Sequence, residues 1–394
     1  MKNYIKIILL VILSVLASCK TEKKEEALSL PFEKYKLANG LEVILNEDKS
    51  DPISSLVILY HVGSNREVKG KTGFAHLFEH MMFQRSENVG EDEFFKYLEG
   101  AGGDFNGGTN TDQTIYYEVV PKNYLETAMW LESDRMGFLS NTVTPSSFAL
   151  QQNVVQNEKR QGVDNRPYGF NSSIILKNLY PDGHPYSWDV IGEMEDLKNA
   201  TIDDVKAFHK KFYIPNNATL VVSGDYSTDT VKALIEKYFG EIPSGEVIPD
   251  PVPMNVTLSE IKKLYHEDAF ARAPQYTMVY PSCEQFTKDA YSLDVLAQLL
   301  GSGKKSPLYK VLVKEKNLTS GVQCYNMAQE LTGQMQISVT ANPMVSLDTV
   351  EKAFFEAFQL FEKEKFNEND LERIKARIET DLYNGLSSIL YKSF

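Results

Sequence analysis

Residues 76–83 read HLFEHMMF. The 394-residue chain has only six histidines, and two of them, His76 and His80, stand four apart with Glu79 between them. On an α-helix, positions four apart share a face, about 5–6 Å between Cβ atoms, so both imidazoles can reach one metal ion with Glu79 beside them. Zinc suits such ligands at about 2.0–2.1 Å, and its catalytic sites keep three protein ligands and an open position. Zinc also acidifies a bound water, whose proton a neighbouring carboxylate can accept and later deliver to a leaving amine. The competing reading, two histidines packed in a core or on a wet face, does not explain the spacing. The glycine-bearing approach of Gly70 and Gly73 places the motif at the start of a helix.

The chain around this motif is large enough for a sizeable core, with 42% hydrophobic and 11% aromatic residues. Its first twenty residues, MKNYIKIILLVILSVLASCK, run from a basic start through a short apolar stretch to small residues. That is a secretory signal, too short for a spanning helix of about 20 apolar residues. The Leu16-Ala17-Ser18-Cys19 ending resembles a bacterial lipoprotein box. Residues 1–18 are therefore expected to be removed, Cys19 to carry lipid, and the charged stretch to residue 30 to act as a tether. The expected location is membrane-anchored, facing the periplasm or cell surface. The formal charge is −13, and losing Lys2 and Lys6 with residues 1–18 makes it −15. Such an acidic surface repels phosphate backbones and argues against nucleic acid as a partner. Beyond Cys19 only Cys283 and Cys324 remain, too few for a disulfide framework.

The pattern along the chain predicts an α+β fold. FEKYKLANGLEVILNED alternates around Asn39-Gly40, a hairpin signal, and SSLVILYHVGS reads as a strand buried on one or both faces. A Thr-Ile-Tyr-Val-rich strand follows the Gly102-Gly103 region, and Thr144-Pro145 starts a helix running to about residue 162. Four prolines in residues 242–254 exclude a helix or central strand and mark a linker. After it the order of strands and helices partly repeats. The expected organisation is a domain over 31–241, the linker, and a related domain over 255–394, each a mainly antiparallel sheet packed with helices. Leu371, Ile374, Ile378, Leu382, Leu386 and Ile389 form a helical stripe still running towards Phe394, so the second domain is expected to be incomplete at its C-terminus.

The inverted order H-x-x-E-H resembles the signature of the pitrilysin/insulysin family of zinc metallopeptidases, which includes mitochondrial processing peptidase. The resemblance spans roughly residues 31–394 and extends through NRPYG (165–169), HPY (184–186) and FYIPNNATLVVSGD (212–225), segments read as architectural. It implies a third zinc ligand on a later helix, which here is Glu158, 78 residues after His80. Gln151 stands where many members carry a further glutamate, and implies a supporting role without charge. GGDFNGGTNTDQTIYYEVVP resembles the family's substrate-facing edge strand, with Asn106, Gly107 and Gly108 near the scissile bond. Members more often have alanine at the position of Gly107.

The implied activity is zinc-dependent endoproteolysis of small or unfolded polypeptides, with Glu79 as general base. In the family two domain pairs enclose a chamber, and the zinc-free pair donates an arginine and a tyrosine to the substrate carbonyl. The nearest stretch here, LVKEKNLTS (312–320), has Val313 and Ser320 at those places. Those donors are thus expected from a second, zinc-free half, either in cis beyond residue 394 or as a separate subunit. The alternatives are a non-catalytic peptide- or metal-binding lipoprotein, or a structural subunit of a peptidase complex. An intact HLFEH with Glu158 favours the enzyme.

Overall fold

The structure, a computed structural model, describes residues 28–394. The signal peptide and Cys19 lie outside the described residues, as does most of the tether. Six strands form the first sheet: β1 (Glu33–Lys36), β2 (Glu42–Glu47), β3 (Ile53–Tyr60), β4 (Asp104–Thr109), β5 (Thr114–Pro121) and β6 (Ala218–Gly224). Their order is β1-β2-β6-β3-β5-β4, antiparallel except for the β2–β6 pair. The Asn39-Gly40 turn makes the expected hairpin: Gly40 has φ +91°, and a Cβ there would stand 2.7 Å from that of Asn216. β4 is an edge strand paired only with β5 among the described residues.

The helices of this half are α1 (Phe74–Met82), α2 (Glu93–Gly100), α3 (Leu125–Phe138), α4 (Pro145–Lys159), α5 (Asn171–Leu179), α6 (Met194–Asn199), α7 (Ile202–Phe212) and α8 (Thr228–Phe239). Leu56, Ile58 and Tyr60 of β3 join Leu77, Phe78 and Met81 of α1, Met129 and Met136 of α3 and Ile235 of α8 in one core. Each such fully buried large side chain contributes about 1.5–3 kcal/mol of transfer free energy. The same core encloses Arg135, whose guanidinium pairs with Glu132 and Glu118 and lies 4.2 Å from the Tyr116 ring centroid and 4.6 Å from that of Phe94. Burial and the neighbouring Glu132 push the Glu118 carboxyl well up, against the pull of Arg135.

No regular element occurs between α8 and β7, so the irregular stretch outlasts the proline-rich 242–254 by some twenty residues. It is nevertheless pinned: Arg66 donates to the Pro249 carbonyl at 3.0 Å, Met254 N to Leu331 O at 2.7 Å, and Tyr168 N to Asp268 at 2.7 Å. Strands β7 (Gln275–Ser282), β8 (Gln323–Ala328) and β9 (Gly333–Thr340) form the second sheet in the order β7-β9-β8, repeating the antiparallel relation of β3-β5-β4. Helices α9 (Lys288–Gly301), α10 (Leu347–Glu364), α11 (Glu368–Gly385) and α12 (Ile389–Ser393) complete the chain. Cys283 and Cys324 are both free. No described helix is long and apolar enough to cross a membrane.

The C-terminal stripe is not one continuous helix. α11 ends at Gly385, where a Cβ would meet the Tyr391 ring at 2.5 Å, and Ser388 caps α12. The short α12 then packs on β3 and β6 of the first sheet, while Ile378 and Leu382 of α11 stay 45% and 41% exposed. Apolar spacing persisted across the break, so the pattern alone ran two helices together.

The start of α1 decides where His76 and His80 point. Gly73, at φ +83°, precedes the helix and offers no capping side chain. The cap comes from Glu67, a buried carboxylate that accepts Gly73 N at 3.0 Å, Ala75 N at 2.8 Å and the Trp188 indole N–H at 3.1 Å. Gly192 makes room for this turn, since a Cβ there would lie 2.4 Å from Gly73 Cα. Replacing Glu67 by alanine strands buried donors, each costing about 1–3 kcal/mol. Glu67→Ala should therefore lower urea-unfolding stability by about 2 kcal/mol or more, and a loss below about 0.5 kcal/mol would show that the cap is dispensable.

His209, on α7, is also buried; its Nδ1 stands 2.5 Å from Ser140 Oγ, and burial holds it down to about 4. The unfolded chain takes up this proton near pH 6.5, whereas the fold refuses it until about pH 4. The neutral ring's contribution is thus intact above pH 6.5 and is lost as pH falls towards 4, reaching about 3 kcal/mol there. In metal-free protein, His209→Gln should lose about 2 kcal/mol less than wild type between pH 7 and 4.5; equal losses in both would contradict the assignment.

Candidate active site

Helix α1 buries Phe74, Leu77, Phe78, Met81 and Met82 and turns His76 and His80 to its partly open side. The two rings meet edge to face, with centroids 4.8 Å apart. Opposite them runs α4, started by a Thr144–Ser147 capping box with Pro145 in its first turn. Near its C-terminus, just before the chain loosens into a π-helical turn (Arg160–Asp164), Glu158 projects towards α1. Its Oε2 lies 3.3 Å from His80 Nε2 and 3.6 Å from His76 Nε2.

These distances can be tested against a metal. A tetrahedral site with arms of about 2.0–2.1 Å has edges of roughly 3.3 Å, so both nitrogen–oxygen separations match the edges of such a site. Two imidazoles and one carboxylate form the usual donor chemistry of catalytic zinc, with a position left open. Burial, with a smaller push from His80, holds His76 down to about 4, so its imidazole is neutral and its lone pair available near pH 7. Among the described residues no other His/Cys/Asp/Glu group brings three ligand atoms so close. The residues fit zinc.

Glu79 faces the same space without joining the triad. It is buried, and Thr109, the last residue of β4, donates its hydroxyl to Oε2 at 2.6 Å. Burial raises the Glu79 carboxyl, and Glu158 adds to this, while the Thr109 bond and His80 draw it down. Thr109 is in turn 3.3 Å from the hydroxyl of Thr114, which donates to the Val62 carbonyl at 2.8 Å. The active-side helix and the edge strand are thereby joined through one hydroxyl.

Asn106, Gly107 and Gly108 lie along edge strand β4. The Asn106 amide oxygen accepts the Gly107 N–H at 2.8 Å, and a Cβ on Gly107 would stand 3.0 Å from both the Phe83 and Tyr116 rings. Glycine at 107 thus lets these rings close beneath the strand, where alanine would press on them. Gly108 has open space beside it. Gln151 is buried two turns before Glu158, with no hydrogen bond to the triad or Glu79 among the described residues. Val313 sits in a π-helical turn (Tyr309–Glu315) and Ser320 in the exposed loop before β8. His184 is buried and bonded on both nitrogens, to Met254 O at 3.1 Å and from Tyr186 N at 3.0 Å.

Sequence reasoning singled out His76, Glu79, His80 and Glu158, which the structure gathers at one place. It passed over Thr109, Glu67 and Trp188. Thr109 belongs to no short motif; the available signal was a hydroxyl residue closing the Gly107-Gly108 stretch. Glu67 could have been sought as the missing cap of a helix that begins after glycine.

Residues 42–182 match the family described as insulinase (peptidase family M16), and residues 199–378 the one described as the peptidase M16 inactive domain. The chain is 30% identical over 363 residues to the zinc protease PqqE of Helicobacter pylori, covering 90% of this chain and 80% of that protein. An insulin-degrading enzyme homolog of Dictyostelium discoideum is 26% identical, across 84% of this chain but only 35% of its own length. Among solved structures, a protease from Helicobacter pylori superposes with a TM-score of 0.85 at 29% identity, covering 92% of this chain and 88% of its own. The first half of the periplasmic protease PqqL from Escherichia coli shares the fold, with a TM-score of 0.70 at 20% identity over 91% of this chain and 78% of that one. A fold built to bring an inverted His-x-x-Glu-His helix against a later glutamate, and relatives of this coverage, lead to one conclusion: this chain belongs to the insulinase family of peptidases, M16.

Proposed function

We propose that this chain is a zinc metalloendopeptidase acting on small or unfolded polypeptides. The observation that carries the reading is the meeting of His76, His80 and Glu158, whose ligand atoms all lie within 4.8 Å of one another and whose two histidine–glutamate separations are 3.6 and 3.3 Å, with the buried Glu79 beside them. His76, His80 and Glu158 would hold the zinc ion. When bound, that ion supplies Lewis acidity to a peptide carbonyl and lowers the pKa of an attacking water.

The remaining steps belong to the chain. Glu79 accepts the water's proton as oxygen attacks the carbonyl carbon, then returns it to the leaving amine nitrogen as the C–N bond breaks. A carboxyl raised by burial is a stronger base than it would be in water, so it takes up the water's proton readily and holds it until the amine nitrogen receives it. Thr109 fixes Oε2 and so leaves Oε1 to receive the proton. The free edge of β4 offers backbone groups to an extended peptide, which gives affinity with little sequence preference. Gly108 permits close approach there and Gly107 makes room for the rings beneath, with Asn106 beside the scissile bond and Gln151 supporting α4 from within.

The wider reading follows the same family. Residues 31–241 form the zinc-binding domain, 242–254 the linker, and 255–394 a second, inactive-type domain. Val313 and Ser320 offer neither a guanidinium nor a phenol to the substrate carbonyl. A zinc-free peptidase-like half, in cis or as a separate subunit, is therefore proposed to supply those donors. Export and anchoring through Cys19 rest on the leader-like N-terminus, and the periplasmic PqqL neighbour is in keeping with export.

Zinc content and peptide turnover, measured on one preparation, test the core of this reading. Glu79→Gln should keep near-stoichiometric zinc and lose peptide hydrolysis by about 10²–10⁴-fold, because it removes a proton acceptor and no ligand. Replacing His76, His80 or Glu158 with alanine should lose zinc and turnover together. Full zinc occupancy in Glu158→Ala would refute the third ligand, and turnover surviving in Glu79→Gln would refute the base.

A further inference from the structure

Thr109 holds Glu79, yet it ends a strand that is paired on one side only. What holds Thr109 is the four-residue turn that follows it. Ser64 N and Asn65 N donate to the carbonyls of Asn110 and Thr111 at 3.2 and 2.8 Å, which ties this turn to the loop after β3. The second sheet grips it as well. At the tip of the β8–β9 hairpin, Gln329 Nε2 donates to Thr111 Oγ1 at 2.8 Å, and Glu330 N donates to Asp112 Oδ2 at 3.1 Å.

Asp112 collects further bonds. Its Oδ1 accepts the Tyr186 hydroxyl at 2.5 Å and the Asn65 amide at 3.1 Å, and Tyr186 in turn accepts Leu331 N at 2.9 Å. The Glu330 carboxylate reaches back across the turn, with Oε1 2.8 Å from His61 Nε2 and Oε2 accepting Asn65 Nδ2 at 3.4 Å. Leu331 is buried among Leu179, Tyr180 and Tyr186, which anchors the hairpin tip apolarly. Apart from the bond of Leu331 N to Tyr186, the polar bonds named from this tip end within three residues of Thr109 or on the loop that backs its turn.

We infer that Glu330 and Asp112 are positioning residues for Glu79: the hairpin of the second sheet clamps the β4–β5 turn and thereby sets the Thr109 hydroxyl and the substrate-facing edge. The inference deepens the peptidase reading and rests on it for the role of Glu79. Misplacement of a catalytic group by about 1 Å can cost on the order of 10²-fold in rate, so a loosened clamp shows mainly in kcat.

The test compares Glu330→Ala, the conservative Glu330→Gln and Thr109→Val in the zinc-loaded full chain, with an unstructured peptide as substrate. Glu330→Ala should lower kcat about 10- to 100-fold with KM changed less than about threefold, and Glu330→Gln should recover most of the loss. In a Thr109→Val background, Glu330→Ala should add less than about twofold, because both act through one hydroxyl. Independently of turnover, amide exchange over residues 104–114 should quicken at least about tenfold in Glu330→Ala while β2 and β6 keep their rates. Unchanged exchange there, unchanged kcat, or fully additive losses with Thr109→Val would overturn the clamp. If wild type hydrolyses nothing, the exchange result alone decides the clamp, and what fails separately is peptidase activity of this chain acting alone.

Discussion

The carboxylate of Glu67 is the constraint on which the site depends. A helix that starts inside a protein exposes N–H groups that water cannot reach, and they must find acceptors. Here the chain spends a buried glutamate on that task, six residues before Gly73, and ties it to Trp188 from a distant loop. Burial pushes its carboxyl up to about 8 even though three N–H donors favour the charge, so the arrangement is costly as well as specific. What it fixes is a rotation: with the first turn of α1 held, Leu77, Phe78 and Met81 can only face the core, and His76 and His80 can only face α4. A surface cap of Ser or Asp would satisfy the same donors without recruiting Trp188, and would leave α1 free to shift relative to the loop that covers it.

A second buried charge system lies under the edge strand. Arg135 is shared by two carboxylates and three aromatic rings, all within the core. One guanidinium cannot neutralise two carboxylates, and the upward push on Glu118 comes first from its burial and then from the neighbouring Glu132. Such a cluster contributes little net stability compared with apolar packing, but removing one partner is expensive, so the geometry is locked. Its rings include Phe83 and Tyr116, the two that a methyl at position 107 would press upon. The floor of the edge strand is therefore rigid where the strand itself lacks a neighbour.

The chemistry of this protein was legible in its sequence where it depended on local spacing. Two histidines four apart declare their shared helix face, and the Asn39-Gly40 hairpin follows from turn chemistry alone. Glu158 was reached through family resemblance, since nothing local distinguishes it from a solvated glutamate beside Lys159 and Arg160. The supporting residues were hidden for a different reason. Thr109, Glu67 and Asp112 act on partners 30, 6 to 121 and 47 to 218 residues away, and no periodicity records such pairings. The C-terminal stripe misled because α11 and α12 carry apolar residues in phase across Gly385, although only a tertiary contact with the first sheet explains why the chain turns there.

An edge strand that receives a peptide faces conflicting demands. It must leave one row of N–H and C=O groups unpaired, which removes half the ladder that would hold it, yet the Glu79 carboxyl takes its orientation from that same strand. The structure separates the two demands along the strand. Asp104 to Gly108 carry the open edge, held from below by Phe83, Phe105 and Tyr116. Rigidity is concentrated at the far end, where Thr109 bonds Glu79 and the turn behind it bonds the β3 loop and the β8–β9 hairpin. This division explains why glycine is tolerated at 107 and 108 at all. Two consecutive glycines in an unsupported edge would raise the entropy of the free strand and blur its register. Fastened at Thr109, the strand keeps its register despite them: Gly107 makes room for the Phe83 and Tyr116 rings beneath, and Gly108 has open space beside it.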